Sequence, residues 1–345
     1  PDTNDALARL AQFAPDGFGV LVRIDSDHFP AVLAARPRRV LLAGPDHPSL
    51  PDRLRDLKAA GVEVLREVTT VTEARVAVGA GVDGLILKGH EAGGRVGPDT
   101  SFVLVQKWRQ VADRQKSAPP FWVRGGVGPN TAAACLAAGA RGVVLDSQVL
   151  LARESPLPEA ARRRVAGLDG SETAVLGATL GEAYRVYSRP DSKPAQELAA
   201  EEERLTGAGN AKLPQWQEAV RARVSADPAE GVWPVGQDVV LAAGLAASGV
   251  TAAGIIQAIC ERATSQLDAA RSLGHLAEGS PLAKSHGTKY PILQGPMTRV
   301  SDTAAFAAAV AAGGALPFLA LALLRKAETD SLLKETKAKL GRKPW

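Results

Sequence analysis

The sequence is poor in aromatic residues and in sulfur. Aromatic side chains make up 4% of the 345 residues, and there are two cysteines and one methionine. So few aromatic residues, beside abundant Ala, Leu, Val and Gly, argue against an all-β sandwich and favour helices packed tightly on a sheet. Cys135 and Cys260 lie far apart in apolar helical surroundings, which predicts buried free thiols rather than a disulfide. Free thiols indicate a reducing compartment, so we expect a cytoplasmic protein.

The sequence also lacks a strong charge of either sign and a long hydrophobic run. Its 41 basic and 37 acidic residues give a net charge of +4, and these charges are dispersed, so we expect no nucleic-acid partner. The apolar runs are shorter than the roughly 20 residues that cross a bilayer. We expect no signal peptide and no membrane partner. No cluster of residues predicts a metal site.

What the sequence does contain is a regular alternation of short apolar runs with helix-like segments. The runs lie at 17–24, 39–44, 62–68, 83–88, 121–124 and 141–146. Short connections between them predict repeated βαβ units and a parallel sheet. The length of 345 residues suits an α/β protein built on a (βα)8 barrel of about 250 residues with an additional segment, and it also suits two domains.

The most informative stretch is 83–97, where an apolar run ends in a burst of glycine. Glycines and titratable residues alternate there: Gly89, His90, Glu91, Gly93, Gly94, Arg95 and Gly97. Glycine this dense lets a backbone approach a ligand closely and permits positive φ. Titratable side chains at the carboxyl end of a parallel strand are typical of a ligand site. The stretch therefore predicts a ligand site, with a plain tight turn as the alternative.

A second glycine-rich loop, at 125–128, precedes a helix that is predicted to begin near Thr131. Backbone N–H groups left free by glycine favour an anion. The next strand is predicted to end at Asp146-Ser147-Gln148, which supplies further donors, and the last two strand ends of a (βα)8 barrel often form a phosphate site. The two loops together predict a ligand that carries a phosphate, although a tight turn would also explain the glycines.

From about residue 150 the pattern changes. Charged or glycine-broken helical segments occupy 158–166, 195–224 and 236–276. They predict a helical insert or linker, with helix breaks at Gly249 and Gly254. The strand-and-loop pattern returns at 290–297 and 315–320. We therefore predict three parts: a barrel part at 1–185, a helical linker or insert at 186–285 and a second barrel part at 286–345.

Three of these stretches together resemble the nitronate monooxygenase family. They are Pro-Ile-Leu-Gln-Gly-Pro-Met at 291–297, the loop with Glu-Ala-Gly-Gly at 89–97, and Gly-Gly-Val-Gly at 125–128. That family includes flavin-dependent enoyl-acyl-carrier-protein reductases and reductase-like domains of polyketide and polyunsaturated fatty acid synthases. The resemblance implies a (βα)8 barrel that binds FMN and takes electrons from NAD(P)H. It is strongest to the tandem barrels of large bacterial polyketide synthases.

The order of the motifs departs from the family. There the Pro-Ile-Leu-Gln-Gly-Pro-Met motif begins the barrel and Glu-Ala-Gly-Gly comes near the sixth strand, whereas here the order is reversed. Residues 17–148 resemble the third to eighth strands, and residues 290–320 resemble the first and second. The chain therefore either closes one permuted barrel or contains parts of two tandem barrels, and the sequence leaves both open.

The resemblance also implies roles for individual residues. The flavin would lie along Gln294, Gly295, Pro296 and Met297, its ring or the substrate would approach Gly93 and Gly94, and its phosphate would be held by Gly125, Gly126 and Ser147. The family places a catalytic histidine directly after Gly-Gly, where this chain has Arg95. Arginine stays protonated and cannot act as a base, so either His90 has taken over proton transfer, with Arg95 holding an anion or a thioester oxygen, or that step is lost.

These features predict an FMN-dependent domain of a polyketide or fatty-acid synthase system that reduces enoyl thioesters with NAD(P)H. Its expected partners are an acyl carrier protein or neighbouring synthase domains, with a homodimer as a further option. Two alternatives are a nitronate monooxygenase-like flavin oxidase and a non-catalytic, degenerate barrel that serves as a scaffold in a megasynthase.

Overall fold

The computed structural model describes residues 3–14, 17–115, 117–190, 192–207, 212–225 and 230–345. The chain divides into two compact units, Pro1–Ser265 and Gln266–Trp345. The strands are β1 Gly19–Arg23, β2 Arg39–Ala43, β3 Glu63–Val68, β4 Gly84–Lys88, β5 Gly94–Val96, β6 Phe121–Arg124, β7 Gly142–Val144, β8 Thr173–Leu176 and β9 Ala183–Tyr187.

The helices of the first unit begin with α1 Thr3–Phe13, α2 Phe29–Ala35, α3 Leu50–Ala59, α4 Val71–Ala80, α5 Ser101–Ala112, α6 Thr131–Ala137 and α7 Glu159–Ala166. The chain continues with α8 Lys193–Gly207, α9 Lys212–Arg223, α10 Ala242–Gly249, α11 Ala252–Leu273, α12 Pro281–His286, α13 Ala304–Ala312 and α14 Lys326–Leu340. Short 3-10 helices lie at Ser147–Val149, Ala178–Leu180 and Gln237–Leu241.

Six strands of the first unit form one parallel sheet in the order β1-β2-β3-β4-β6-β7. Helices α2 to α6 connect successive strands of this sheet. The sheet is curled like half of a (βα)8 barrel, which confirms the predicted fold class. β4 is buried at all five positions, because both faces of a parallel sheet are covered. The run at 85–87 is therefore the buried strand that the sequence predicted.

Local sequence signals set the helix boundaries. Thr70 begins α4, since its hydroxyl accepts a hydrogen bond from the backbone N of Glu73 at 3.2 Å. Gly81 ends α4 at a φ of 89°, which glycine adopts without a steric cost. The break at Gly249 is confirmed, because α10 ends there. Gly254 instead lies inside α11, where a Cβ would come within 2.1 Å of the Gly249 carbonyl oxygen.

A second, antiparallel sheet of order β5-β9-β8 lies in the first unit. Arg95 of β5 pairs with Tyr184 of β9. The sequence did not predict this sheet because its strands are short: β5 has three residues, and β8 has four. Gly177 and Gly181, which take φ values of 85° and 94°, further interrupt any alternating pattern between β8 and β9.

The segment expected to be a helical insert or linker shares a hydrophobic core with the second sheet. Helices α8 and α9 bury Leu198, Leu205 and Trp216 in one cluster with Tyr184 of β9. The indole Nε1 of Trp216 donates a hydrogen bond to the backbone oxygen of Glu182 at 2.8 Å. Full burial of such a side chain stabilises a fold by about 1.5–3 kcal/mol. The burial of these side chains therefore helps to hold α8 and α9 against β9.

The second unit contains a short βαβ connection around α13. The strands predicted at 290–297 and 315–320 meet at a single parallel bridge between Leu293 and Leu316. The predicted connection through a helix is confirmed, but the strands are much shorter than predicted. Three prolines, which have no N–H to donate to a strand ladder, interrupt these runs: Pro291, Pro296 and Pro317.

Both cysteines are free, Cys135 half-buried and Cys260 exposed. The prediction of free thiols is confirmed, and the prediction that both are buried is wrong. The buried residue of this turn of α11 is Ile259. Cys260 follows it about 100° further round the helix axis, and its side chain is therefore turned away from the buried side.

Among the residues that the structure describes, no single helix is long and apolar enough to cross a bilayer. The segments Gln237–Gly249 and Ala252–Leu273 reach that composition only together, and they are bent by 99°.

Candidate functional site

The carboxyl ends of four neighbouring strands of the large sheet, β3, β4, β6 and β7, carry charged side chains that pair with one another. Lys88 Nζ lies 3.3 Å from Glu67 Oε1. Arg124 lies 2.5 Å from the other oxygen of Glu67 and 2.7 Å from Asp146. We call these four residues the strand-end cluster. Lys88, Arg124 and Asp146 lie at strand ends where the sequence predicts a site, whereas Glu67 was not predicted, although it too is a charged residue near the end of an apolar run.

Burial and charge act in opposite directions on this cluster. The side chains of Glu67 and Lys88 are 5% and 4% exposed. Burial opposes the charge of Glu67, but the adjacent Lys88 and Arg124 outweigh it and lower the pKa of Glu67. Burial lowers the pKa of Lys88, and the attraction of Glu67 only partly offsets this. Two cations thus share one buried carboxylate, and Lys88 loses its proton more readily than a surface lysine does.

His90 is fixed in the glycine-rich loop by bonds to its ring and its backbone. Its Nδ1 lies 2.7 Å from the carbonyl oxygen of Gly97, and its backbone N donates to Asp99 O at 2.8 Å. Arg185 Nε donates to the His90 carbonyl oxygen at 2.8 Å. A carbonyl oxygen can only accept, so Nδ1 carries the hydrogen and Nε2 is the basic nitrogen of the neutral ring.

Arg95 lies between two carboxylates of the first unit. It forms an ion pair with Glu73, and its Nε lies 3.7 Å from Glu182. Its side chain is only 14% exposed. Two carboxylates neutralise its guanidinium within the protein, and these contacts join β5 to α4 and to the residue before β9.

The space beside Gly93, where a side chain is missing, is filled by backbone atoms of the same chain. A Cβ at Gly93 would lie 2.8 Å from Pro234 O and 2.9 Å from Gly236 N. We call residues 234–238 the crossing segment, because they contact both glycine-rich loops, the one at 89–97 and the one at 125–128. Gln237 N donates to Glu91 O at 2.8 Å.

The crossing segment also reaches the residues predicted to hold a phosphate. Gly125 and Gly126 take φ values of 99° and 65°. Gly126 N donates to Asp238 Oδ2 at 3.2 Å, and Gly236 N donates to Ser147 Oγ at 2.9 Å. The side-chain Nε2 of Gln148 donates to the same oxygen of Asp238 at 2.8 Å. A carboxylate of this chain therefore contacts the loop where the sequence predicts a phosphate.

Asp238 is buried, with 3% of its surface exposed. Its Oδ1 has no hydrogen-bond partner among the described residues. Burial and the negative charge of Asp146 raise the pKa of Asp238 to about 6, while the Gly126 amide and the Ser147 hydroxyl oppose this rise. The Gly126 amide and the Ser147 hydroxyl thus favour the anionic form, as they would favour a phosphate, but burial and Asp146 outweigh them.

The four residues predicted to lie along the flavin belong to the second unit. Gln294 is half-buried, and its Oε1 accepts a hydrogen bond from Phe318 N at 3.1 Å. Gly295, Pro296 and Met297 are exposed. The other predicted site residues lie in the first unit, in the 89–97 stretch, in the 125–128 loop and at the start of the 3-10 helix Ser147–Val149. Within the described ranges there is no group of three or more His, Cys, Asp or Glu that could hold a metal ion.

The family model for nitronate monooxygenase matches residues 31–262. The chain belongs to the nitronate monooxygenase family. The resemblance predicted from the sequence is thereby confirmed, and the match includes most of the segment that was expected to be an insert. It ends before 290–297, so the relationship does not depend on that motif.

Individual relatives support the same assignment. A (3aS,4S,5R,7aS)-5-hydroxy-7a-methyl-1-oxo-octahydro-1H-indene-4-carboxyl-CoA dehydrogenase of Rhodococcus jostii is 26% identical over 200 residues, 54% of this chain and 52% of that protein. The enzyme of that name from Mycobacterium tuberculosis is 35% identical over 133 residues, 38% of this chain and 36% of that protein. The chain thus spans about half or less of these relatives. The structure of FabK from Thermotoga maritima aligns with a TM-score of 0.64 at 25% identity, over 79% of this chain and 83% of that chain.

Proposed function

We propose that this protein is an FMN-dependent oxidoreductase that reduces enoyl thioesters with NAD(P)H. The observation that carries the proposal is the pair of donors, the amide of Gly126 and the hydroxyl of Ser147, that meet at the carboxyl group of Asp238. Donors that converge on an acidic group, at the loop where the resemblance expects the flavin phosphate, support the proposal. Membership of the nitronate monooxygenase family supports a flavin as the ligand.

The chain's own groups fit a phosphate-tailed coenzyme at this loop. The N–H of Gly126 and the hydroxyl of Ser147 would donate to the phosphate, and Gly94 would leave space over the strand ends. A Cβ at Gly94 would lie 3.7 Å from Lys88 Nζ, so the loop passes directly beside the strand-end cluster. When bound, FMN would supply a hydride to the β-carbon of the substrate and be reduced again by NAD(P)H.

Reduction of a carbon–carbon double bond also requires a proton at the α-carbon. We assign its delivery to the protonated form of His90: the Gly97 carbonyl holds Nδ1–H and orients the ring, so that Nε2–H gives its proton to the α-carbon and Nε2 becomes the basic nitrogen of the neutral ring. Arg95 has a positioning role in this scheme, since Glu73 and Glu182 engage its guanidinium. A His90→Ala variant should therefore lose turnover by roughly 100-fold or more, with flavin binding unchanged.

The proposed substrate is an acyl thioester carried by an acyl carrier protein. The two dehydrogenase relatives carry carboxyl-CoA in their names, which supports a thioester substrate. The mild excess of basic residues, 41 against 37 acidic, suits an acidic carrier protein. We place the protein in the cytoplasm among neighbouring domains of a polyketide or fatty-acid synthase, where it could also form a homodimer.

A non-catalytic scaffold is the second candidate, and the ion pairs of Arg95 favour it. The group at the family's histidine position is here tied to Glu73 and Glu182, so it cannot transfer a proton. A scaffold would retain the fold and lack turnover. His90, fixed by Gly97, is the feature that favours the enzyme.

The test begins with the visible absorbance spectrum of the protein after incubation with FMN. The loaded protein is then mixed with NADPH or NADH and a crotonyl thioester, and oxidation of the nicotinamide is followed. In parallel, oxygen uptake with a nitronate reports the oxidase alternative. We expect nicotinamide oxidation that depends on the thioester. Flavin-loaded protein that oxidises neither nicotinamide with any enoyl thioester would contradict the proposal and favour the scaffold.

A further inference from the structure

We propose that Asp238 determines the ligand specificity of this site: its carboxylate takes the place of a phosphate on the 125–128 loop and weakens binding of phosphate-bearing ligands. The inference rests on the proposed flavin site and adds a residue that selects against the phosphate. Asp238 is thus an internal competitor for the anion-binding loop, and removal of its charge makes the loop available to an external phosphate.

The first argument is the set of donors that Asp238 uses. Its Oδ2 accepts from Gly126 N at 3.2 Å and from Gln148 Nε2 at 2.8 Å. The Ser147 hydroxyl also favours its charged form. Gly126 and Ser147 are two of the three residues predicted to hold the phosphate. One N–H group and one hydroxyl cannot serve two anions at full strength.

The second argument is that the carboxylate is held in place by the backbone around it. Gly236 N donates to Ser147 Oγ at 2.9 Å, and Gln237 N donates to Glu91 O at 2.8 Å. A Cβ at Gly236 would lie 2.5 Å from Asp238 Oδ1 and 2.7 Å from Glu91 O. The crossing segment is therefore fitted closely to both loops, and Asp238 reaches the Gly126 amide from a fixed backbone.

The third argument is electrostatic. The charged groups that act on Asp238 are Asp146, which is repulsive, and Arg124 and Arg185, which are attractive. Glu91 adds a carboxylate near the loop, because its Cδ lies 3.6 Å from the position of a Cβ on Gly126. A phosphate monoester carries about −1.5 to −2 charge at neutral pH. Placed beside Asp238 and Glu91, it would be repelled at short range in a site shielded from water.

The test compares FMN with riboflavin, which has the same ring and no phosphate. Asp238→Asn keeps the shape of the side chain and removes its charge. Asp113→Asn removes a charge from the exposed end of α5, where Asp113 pairs with Arg109, and serves as the control. Binding is measured by quenching of flavin fluorescence at neutral pH. We expect Asp238→Asn to bind FMN roughly tenfold more tightly than the wild-type protein, with riboflavin affinity unchanged and no change in Asp113→Asn.

Three results would overturn the inference. They are equal FMN affinity in the wild-type protein and Asp238→Asn, an equal gain for riboflavin and FMN, and no FMN binding by Asp238→Asn. An Asp238→Ser variant repeats the measurement with a shorter neutral side chain in case the asparagine variant does not fold. If Asp238→Asn binds FMN tightly but reduces no enoyl thioester, the proposed reaction fails and the role of Asp238 stands.

A second readout follows the contact without any ligand. In the wild-type protein the ¹H–¹⁵N resonance of Gly126 should titrate near pH 6, the value to which burial and Asp146 raise the pKa of Asp238. The inflection should be absent in Asp238→Asn and present in Asp113→Asn. A Gly126 resonance that does not respond to pH in this range would show that the carboxylate is not on the loop.

Discussion

Glu67 shows how much depends on one buried carboxylate. It is the shared partner of Lys88 and Arg124, both of which are largely removed from water. Removing one partner of a buried ion pair leaves an uncompensated charge and costs about 3–5 kcal/mol. We therefore expect Glu67→Gln to lower the free energy of unfolding by about this amount, measured by urea denaturation.

Glu63 of the same strand provides the matched control for Glu67. It pairs with Arg39 at 2.6 Å, but both side chains are at least 36% exposed. An exposed pair of this kind contributes about 0–1 kcal/mol. Equal losses of stability in Glu63→Gln and Glu67→Gln would contradict the importance of burial in the strand-end cluster.

The raised pKa of Asp238 also has a consequence for stability. Because the pKa of Asp238 is about 6 in the folded protein and its ordinary value is 3.8, the folded protein binds this proton more tightly than the unfolded chain does. The stabilisation is complete below the unfolded pKa and is lost as pH rises through about 6. We expect the wild-type protein to lose roughly 2 kcal/mol relative to Asp238→Asn between pH 4 and pH 7. Parallel pH profiles of unfolding free energy for the two proteins would contradict this.

At the residue scale, the sequence drew attention to the glycine-rich loops but not to every residue that contacts them. The loop at 89–97 could be found because its glycines and His90 are adjacent in the chain. Asp238 could not be found in this way, since 112 positions separate it from Gly126 and only the fold brings them together. The role of Arg95 was equally hidden, because its partners Glu73 and Glu182 lie on other elements.

At the scale of elements, the parallel strands were predictable and the antiparallel ones were not. Each parallel strand is a compact apolar run between helix-like segments, as in 84–88. The strands β5, β8 and β9 are short, and Arg185 is buried within β9 where an alternating pattern would place an apolar residue. Tertiary contacts decide these strands, so their sequences alone give a weak signal.

The turn between β8 and β9 offers a test of how tightly the second sheet packs on α9. A Cβ at Gly177 would lie 2.3 Å from the ring of Trp216, whereas a Cβ at Gly181 would meet nothing within 4 Å. Both glycines have positive φ. We expect Gly181→Ala to cost about 1–2 kcal/mol from backbone strain alone and Gly177→Ala to cost about 1–3 kcal/mol more from the clash. Equal melting temperatures for the two variants would show that the Trp216 ring moves to make room for the added methyl group, and would contradict this prediction.

At the scale of the whole molecule, the family match lies within the first unit and ends at nearly the same residue. The match ends at residue 262, and the unit ends at Ser265. The curled sheet, the two glycine-rich loops and the crossing segment all lie within it. We therefore expect a chain of residues 1–274, which ends after α11, to fold by itself, with a cooperative thermal transition and the helical circular dichroism of a packed α/β protein.

The same fragment separates the two arrangements that the sequence left open. A permuted single barrel needs residues 290–320 to complete its ring, so the fragment would be unfolded or molten. Parts of two tandem barrels need no such completion. A fragment without a cooperative transition would therefore favour the permuted barrel.

The strand-end cluster has a further consequence for whatever lies above it. The negative charges of Glu67 and Asp146 balance the positive charges of Lys88 and Arg124, so the cluster has no net charge. The electric field of such paired charges decays faster with distance than the field of a single ion. Such a surface recruits no ion from solution, but within a few ångströms it exerts a torque on a polar molecule. A neutral, dipolar molecule close to these strand ends would therefore be aligned by the cluster and not drawn in from a distance.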